Sequence, residues 1–182
     1  MQLTSDGAWL IGARQVLSPN CDERPADGDV SLIVVHGISL PPGEYGGPWI
    51  DDFFTNRLDC AVHPYFEEIE GMRVSSHILI RRDGELVQYV PFTRRAWHAG
   101  QSCYGGRDAC NDFAIGIELE GQDDTPYEDI QYRRLAELVR ALRQRFSAIG
   151  DDAIVGHSDI APGRKTDPGP AFDWSRLKTL LA

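Results

Sequence analysis

The chain has 182 residues, 42% of them hydrophobic and 25% charged, a size and balance that fit one soluble domain burying about 70% of its unfolded surface without disulfide or oligomer support. Its formal charge is −10, from 18 Lys and Arg against 28 Asp and Glu, so its long-range field repels polyanions and argues against nucleic acid as a partner. Two of the 18 basic residues are lysines, Lys165 and Lys178, which singles out any lysine that falls inside a polar constellation.

No basic residue precedes Arg14, and the apolar stretch 8–13 is too short for a signal-peptide core. No later stretch approaches the ~20 apolar residues of a membrane helix, so the expectation is a cytoplasmic chain. The cysteines Cys21, Cys60, Cys103 and Cys110 show no CxxC spacing, and in a reducing compartment they are expected as free thiols rather than as a Cys103 to Cys110 link.

After the polar Asp27-Gly28-Asp29 turn, the β-branched run Leu32-Ile33-Val34-Val35 reads as a buried strand ending at His36. Residues 40–48 hold three prolines and three glycines, which forbid regular structure. Residues 74–81 and 85–90 flank Asp83-Gly84 and read as a tight hairpin. Residues 114–120 alternate strictly, with Ile115, Ile117 and Leu119 on one face and Ala114, Gly116, Glu118 and Glu120 on the other.

Over residues 130–146, Leu135, Leu138, Val139, Leu142 and Phe146 recur at helical spacing, predicting an amphipathic helix against the sheet. A short strand over 153–155 leads to His157, a Pro/Gly-rich loop runs to Pro170, and Asp173 is placed to cap a last helix reaching Leu181. The sum is an α/β (α+β) single domain, a mixed sheet of about five strands flanked by helices.

His36 and His157 each follow a strand-like run, and Asp167 lies in a loop stiffened by Pro162, Pro168 and Pro170. Two imidazoles and one carboxylate leave a tetrahedral zinc one open position, as catalysis requires. The alternative is two hydrogen-bonded histidines at strand ends and an Asp167 that caps its own Asp-Pro-Gly turn, while His63, His77 and His98 compete as ligands. Glu118 lies beside Gly116 and Ala114, which leave room above the sheet for a ligand or metal, and a carboxylate there can take a proton from zinc-bound water. Glu120, two residues on, reads either as part of a solvated strand face or as the partner of Glu118 in an inverting glycosidase pair. Lys165 can reach the open metal position and stabilise an oxyanion, or pair at the surface with Asp167 or Asp159. No GxSxG elbow, P-loop or GxGxxG is present.

The runs Val35-His36-Gly37-Ile38-Ser39-Leu40-Pro41-Pro42-Gly43, His63-Pro64-Tyr65-Phe66, Arg94-Arg95-Ala96-Trp97-His98-Ala99-Gly100, Asn111-Asp112-Phe113-Ala114-Ile115-Gly116-Ile117-Glu118-Leu119-Glu120-Gly121 and Lys165-Thr166-Asp167-Pro168-Gly169 closely resemble the AmpD amidases. These are cytoplasmic zinc N-acetylmuramoyl-L-alanine amidases that act on 1,6-anhydro-muropeptides in cell-wall recycling. The resemblance is collinear over nearly the whole chain. It implies one Zn2+ per chain on His36, His157 and Asp167, with Glu118 as catalytic glutamate and Lys165 as oxyanion-stabilising lysine. It also implies the fold of T7 lysozyme-type amidases and peptidoglycan-recognition proteins, over a single domain 1–182 with its catalytic core at about 30–170. A muropeptide is the implied partner of a monomer that does not insert into membranes, with Tyr65, Arg73, Trp97 and Arg107 as groove residues.

Two positions depart from the family pattern: Gly37 stands where an Asn is common, and Ser158 where a Cys is expected. A muropeptide-binding module on the same fold is the alternative, and the intact ligand set argues against it.

Overall fold

The computed structural model describes residues 1–25 and 29–182; most of the expected Asp27-Gly28-Asp29 turn lies outside them. In chain order the strands are β1 (Arg14–Gln15), β2 (Cys21–Asp22), β3 (Leu32–Ile38), β4 (Ile78–Ile80), β5 (Leu86–Gln88), β6 (Arg95–Ala96), β7 (Cys103–Tyr104), β8 (Arg107–Asp108), β9 (Ala114–Glu120) and β10 (Ile154–Gly156). The α-helices are α1 (Trp49–Phe54), α2 (Pro64–Glu68), α3 (Asp129–Arg145), α4 (His157–Ile160) and α5 (Trp174–Leu181). Six strands form the main sheet in the order β1-β5-β4-β9-β3-β10, and two small ribbons, β2 with β6 and β7 with β8, sit apart from it. β3 runs parallel to β9 and β10, and β4 parallel to β9, while β5 returns antiparallel against β4.

The sheet is mixed, as expected, with a sixth strand. That strand, β1, is two exposed residues long, too short to show any alternation in sequence. β3 runs on past His36 to Ile38, because its pairing with β9 continues from Leu32↔Ala114 to Ile38↔Glu120. The hairpin forms where expected with shorter strands, Ile78–Ile80 and Leu86–Gln88. Its loop closes through Arg81 N–H to Glu85 O at 2.9 Å and Gly84 N–H to Arg81 O at 2.9 Å, with Gly84 at φ +87°, a conformation glycine adopts without steric cost.

Both faces of the central strands are covered. Ile33, Val35, Ile78, Ile80, Ile115, Ile117 and Leu119 pack against Leu135, Leu138, Val139 and Leu142 of α3 and Leu177 of α5. On the opposite face Leu79 and Val87 meet Ile50 and Phe54 of α1 and Phe66 of α2, while Leu32, Val34 and Ala114 meet Phe113 and Ile160. A parallel strand buried on both sides carries an unbroken apolar run, the reason Leu32-Ile33-Val34-Val35 does not alternate. The apolar stripe of α3 faces the sheet as its spacing requires. At the end of the chain the Asp173 carboxylate accepts from Arg176 N–H at 2.9 Å and caps α5. All four cysteines are free, and no helix of the described residues is long and apolar enough to cross a membrane.

Candidate active site

The sheet register assembles the site. His36 on β3 pairs directly with Glu118 on β9, and neighbours in register share a face. The Gly156↔Val35 pairing of β10 with β3 delivers His157, the next residue and the first of α4, to the side of His36. The segment after α4 then folds back so that Ser158 N–H donates to Asp167 O at 3.0 Å.

Three ligand atoms converge. His36 Nδ1 lies 3.0 Å from His157 Nδ1 and 3.2 Å from Asp167 Oδ2, and His157 Nδ1 lies 3.1 Å from the same oxygen. Among the described residues these three form the one cluster able to hold a metal ion. Four-coordinate zinc with bonds near 2.0–2.1 Å separates its ligands by about 3.3 Å, so the triangle and its donor chemistry, two nitrogens and one carboxylate oxygen, fit that ion. His63 is elsewhere, capping α2 by accepting Tyr65 N–H at 3.1 Å. His77 is core: its Nδ1 accepts Gly116 N–H at 3.0 Å and its Nε2 lies 3.0 Å from Arg94 O. The Asp167 carboxylate faces the two histidines rather than capping its own turn.

Protonation states suit the geometry. Burial pushes His36 down to about 4, keeping the ring neutral with a lone pair free. Burial raises the Asp167 carboxyl, but hydrogen bonds from His157 and His36 outweigh it and hold the group well below the usual carboxylate range. Glu118 is 7% exposed; burial, then the neighbouring Asp167 charge, push its carboxyl well above the ordinary glutamate value, against a smaller opposing effect of Lys165. A carboxyl raised in this way holds a proton more readily than an exposed glutamate, which suits a group that takes and returns one.

These groups open onto one groove of about 560 Å³, lined by His36, Glu118, His157, Lys165 and Asp167 together with Tyr65. Leu40, Phe53, Ile69 and Met72 give it an apolar wall. Lys165 is exposed and, among the described residues, makes no ion pair, with Asp159 instead accepting Gly156 N–H at 2.7 Å. Arg73 is exposed between Met72 and Val74, which line the groove. Trp97 is half-buried and its backbone N–H donates to Oγ of Ser75, itself a groove residue. Arg107 stands on β8, paired with Asp29 at 3.3 Å and stacked on Phe113 at 4.0 Å, outside the groove lining.

Two expectations about β9 are corrected. Glu120 is 2% exposed, not on a solvated face: it accepts Gly46 N–H at 2.7 Å, Arg82 N–H at 3.1 Å and Arg81 Nη1 at 3.1 Å. A carboxylate held by three donors and outside the groove lining is not placed to act as base beside Glu118, which removes the glycosidase pair. The room above Gly116 holds neither ligand nor metal but the ring of His98, whose Cγ would lie 2.5 Å from a Cβ at that position. At Gly37 the space for a side chain is filled by the Tyr127 hydroxyl, which donates to Pro168 O at 2.9 Å beside the ligand loop. Tyr127 goes unmarked in the sequence because it acts through a single contact from an irregular segment, where no periodicity exists to flag it.

The chain is similar to known proteins along nearly its whole length. The family model for N-acetylmuramoyl-L-alanine amidase matches residues 26–170. The 1,6-anhydro-N-acetylmuramyl-L-alanine amidase AmpD of Escherichia coli strain K12 is 60% identical over 174 residues, 96% of this chain and 94% of that protein. A crystal structure of a selenomethionine AmpD derivative superposes with a TM-score of 0.96 at 58% identity, covering 100% of both chains. The E. coli amidase AmiD, in complex with anhydro-N-acetylmuramic acid-L-Ala-D-gamma-Glu-L-Lys, matches at a TM-score of 0.61 and 30% identity, over 87% of this chain and 60% of that one.

Proposed function

This chain belongs to the N-acetylmuramoyl-L-alanine amidase family, and from that premise we propose that it uses one zinc ion to hydrolyse the amide between the lactyl group of 1,6-anhydro-N-acetylmuramic acid and L-alanine of the stem peptide. Amide hydrolysis at the muramyl–alanine bond, in peptidoglycan recycling, is the activity of its relatives, and the observation that carries it here is the His36, His157 and Asp167 triangle with Glu118 in register beside it.

His36, His157 and Asp167 would hold the ion, which when bound polarises the scissile carbonyl and acidifies water. Glu118, desolvated on β9, accepts the proton of the attacking water and returns it to the departing amine nitrogen. Lys165 supplies the positive charge that stabilises the oxyanion of the tetrahedral intermediate. Tyr65 in the wall, with Arg73 and Trp97 beside the groove, supplies contacts to sugar and peptide; an arginine suits the stem-peptide carboxylates through bidentate pairing. The setting is the cytoplasm and the acting unit a monomer.

The deciding experiment is mass spectrometry of 1,6-anhydro-muramyl-tripeptide after incubation with chelated protein and with the same protein given zinc back. Free tripeptide released with zinc alone is the expected result. Intact but bound substrate in both arms would make the protein a recognition module, and metal-independent release would remove the zinc from the reaction.

A further inference from the structure

Both ligand imidazoles turn their second nitrogen toward one short segment, residues 98–99, which belongs to no strand of the main sheet. Nε2 of His36 lies 3.0 Å from Nδ1 of His98, and Nε2 of His157 donates to Ala99 O at 3.3 Å. The segment is itself fixed: one buried carboxamide oxygen, Oδ1 of Asn111, accepts His98 N–H at 3.0 Å and Ala99 N–H at 2.8 Å, and Arg164 Nη2 donates to the same Ala99 O at 2.6 Å. The His98 ring stands edge-on to His36, with centroids 5.0 Å apart, over the space that Gly116 leaves open.

The tautomers follow from the valences. A neutral imidazole that offers Nδ1 to a metal carries its proton on Nε2. His36 Nε2–H then donates to His98 Nδ1, which must be a bare lone pair, so the His98 proton sits on its own Nε2. That nitrogen is buried and, among the described residues, has no hydrogen-bond partner. An orphaned buried N–H costs stability, and an apolar ring would pack in the same place without that cost. The acceptor offered to His36 is what the histidine supplies in return.

We propose that residues 98–99 form a strap that selects the metal-binding tautomer and orientation of both histidine ligands, with His98 the positioning residue for His36 and Asn111 the anchor of the strap. The proposal rests on the reading of the triangle as a zinc site. An outer partner of this kind typically sets metal affinity or activity by 10–100-fold.

The test is zinc affinity of the intact protein, measured by competition with a chromophoric chelator, alongside 15N spectra of the imidazoles. His98→Phe is expected to weaken zinc binding 10–100-fold and to remove the slowly exchanging His36 Nε2 proton. His98→Gln, whose carboxamide oxygen accepts, is expected to restore affinity to within a few-fold of wild type and to keep that proton. Asn111→Asp is expected to resemble wild type, and Asn111→Ala to weaken zinc binding while each variant still unfolds cooperatively. Equal weakening in His98→Phe and His98→Gln would reduce His98 to ring packing and overturn the proposal, as would wild-type affinity in both. Failure of the wild-type protein to bind zinc would instead overturn the metal reading beneath it, a result separate from either of those.

Discussion

Glu118 shows how a single residue acquires its chemistry from position. A glutamate on a strand is ordinarily solvated and ionised, but here both sheet faces are covered and its carboxyl is pushed well above the usual value by burial and then by Asp167. Glu118→Gln is therefore expected to abolish turnover while zinc remains bound; wild-type kcat in a zinc-loaded variant would remove Glu118 from the reaction. The same substitution is expected to stabilise the metal-free protein at pH 7. A carboxyl whose folded value is raised costs stability while it is ionised, and that cost disappears as pH falls through the folded value toward the unfolded one at about 4.3. Thermal melts should thus show the Gln variant ahead at pH 7 and level with wild type near pH 4. For Lys165→Ala the expected loss is ~10²–10³ in kcat with little change in KM, the signature of a group that acts on the transition state; a rise in KM alone would make Lys165 a substrate contact.

At the scale of elements, β9 was legible in the sequence down to its end residues, yet the environment of its polar face was not. Alternation says which residues share a face and nothing about what covers it. Glu120 was readable as solvated because its partners, Arg81 and the backbone of Gly46, lie 39 and 74 positions away, beyond any local pattern. Arg81 is also buried and keeps Glu85 at 3.2 Å and Asp51 at 3.6 Å, so removing Glu120 takes one of its three carboxylate partners and leaves the Gly46 and Arg82 N–H groups without their acceptor. Glu120→Ala is expected to cost about 1–3 kcal/mol in urea denaturation; a cost within about 0.5 kcal/mol would return Glu120 to a surface role. The helix α3 was legible for the opposite reason: its apolar spacing is local, and Leu135, Leu138 and Leu142 are all fully buried. Leu138→Ala is expected to cost about 2–5 kcal/mol, read in the same denaturation experiment.

Across the whole molecule the notable electrostatic feature is a row of buried neutral histidines. Burial lowers His36 to about 4 and His77 to about 3, and burial, then the neighbouring His36, holds His98 well below the usual imidazole value. Unfolding releases these rings to values near 6.5. A base held neutral by the fold takes up its proton only on unfolding, so stability is full above about pH 6.5 and is lost as pH falls toward the folded values. Each such ring weakens the metal-free protein by about 2 kcal/mol between pH 7 and pH 5. Urea midpoints at the two pH values measure this, and His77→Gln is expected to flatten the dependence; an unchanged slope would mean that His77 is charged in the fold.

The sequence by itself determined the elements whose information is local: the strand at β9, the amphipathic α3, the hairpin at Asp83-Gly84, the Asp173 cap, and, through collinear motifs, the family. Only the tertiary structure decided which histidines meet. Five are spread over the chain, and the pairing registers of β3 with β9 and β10 bring His36 and His157 to one edge, while His63 caps a helix and His77 fills the core. Register and burial depend on contacts between residues far apart in sequence, and those contacts exist only once the chain has collapsed around a common core. The same physics turned Glu120 inward and set His98 over Gly116, in a place that composition and periodicity leave blank.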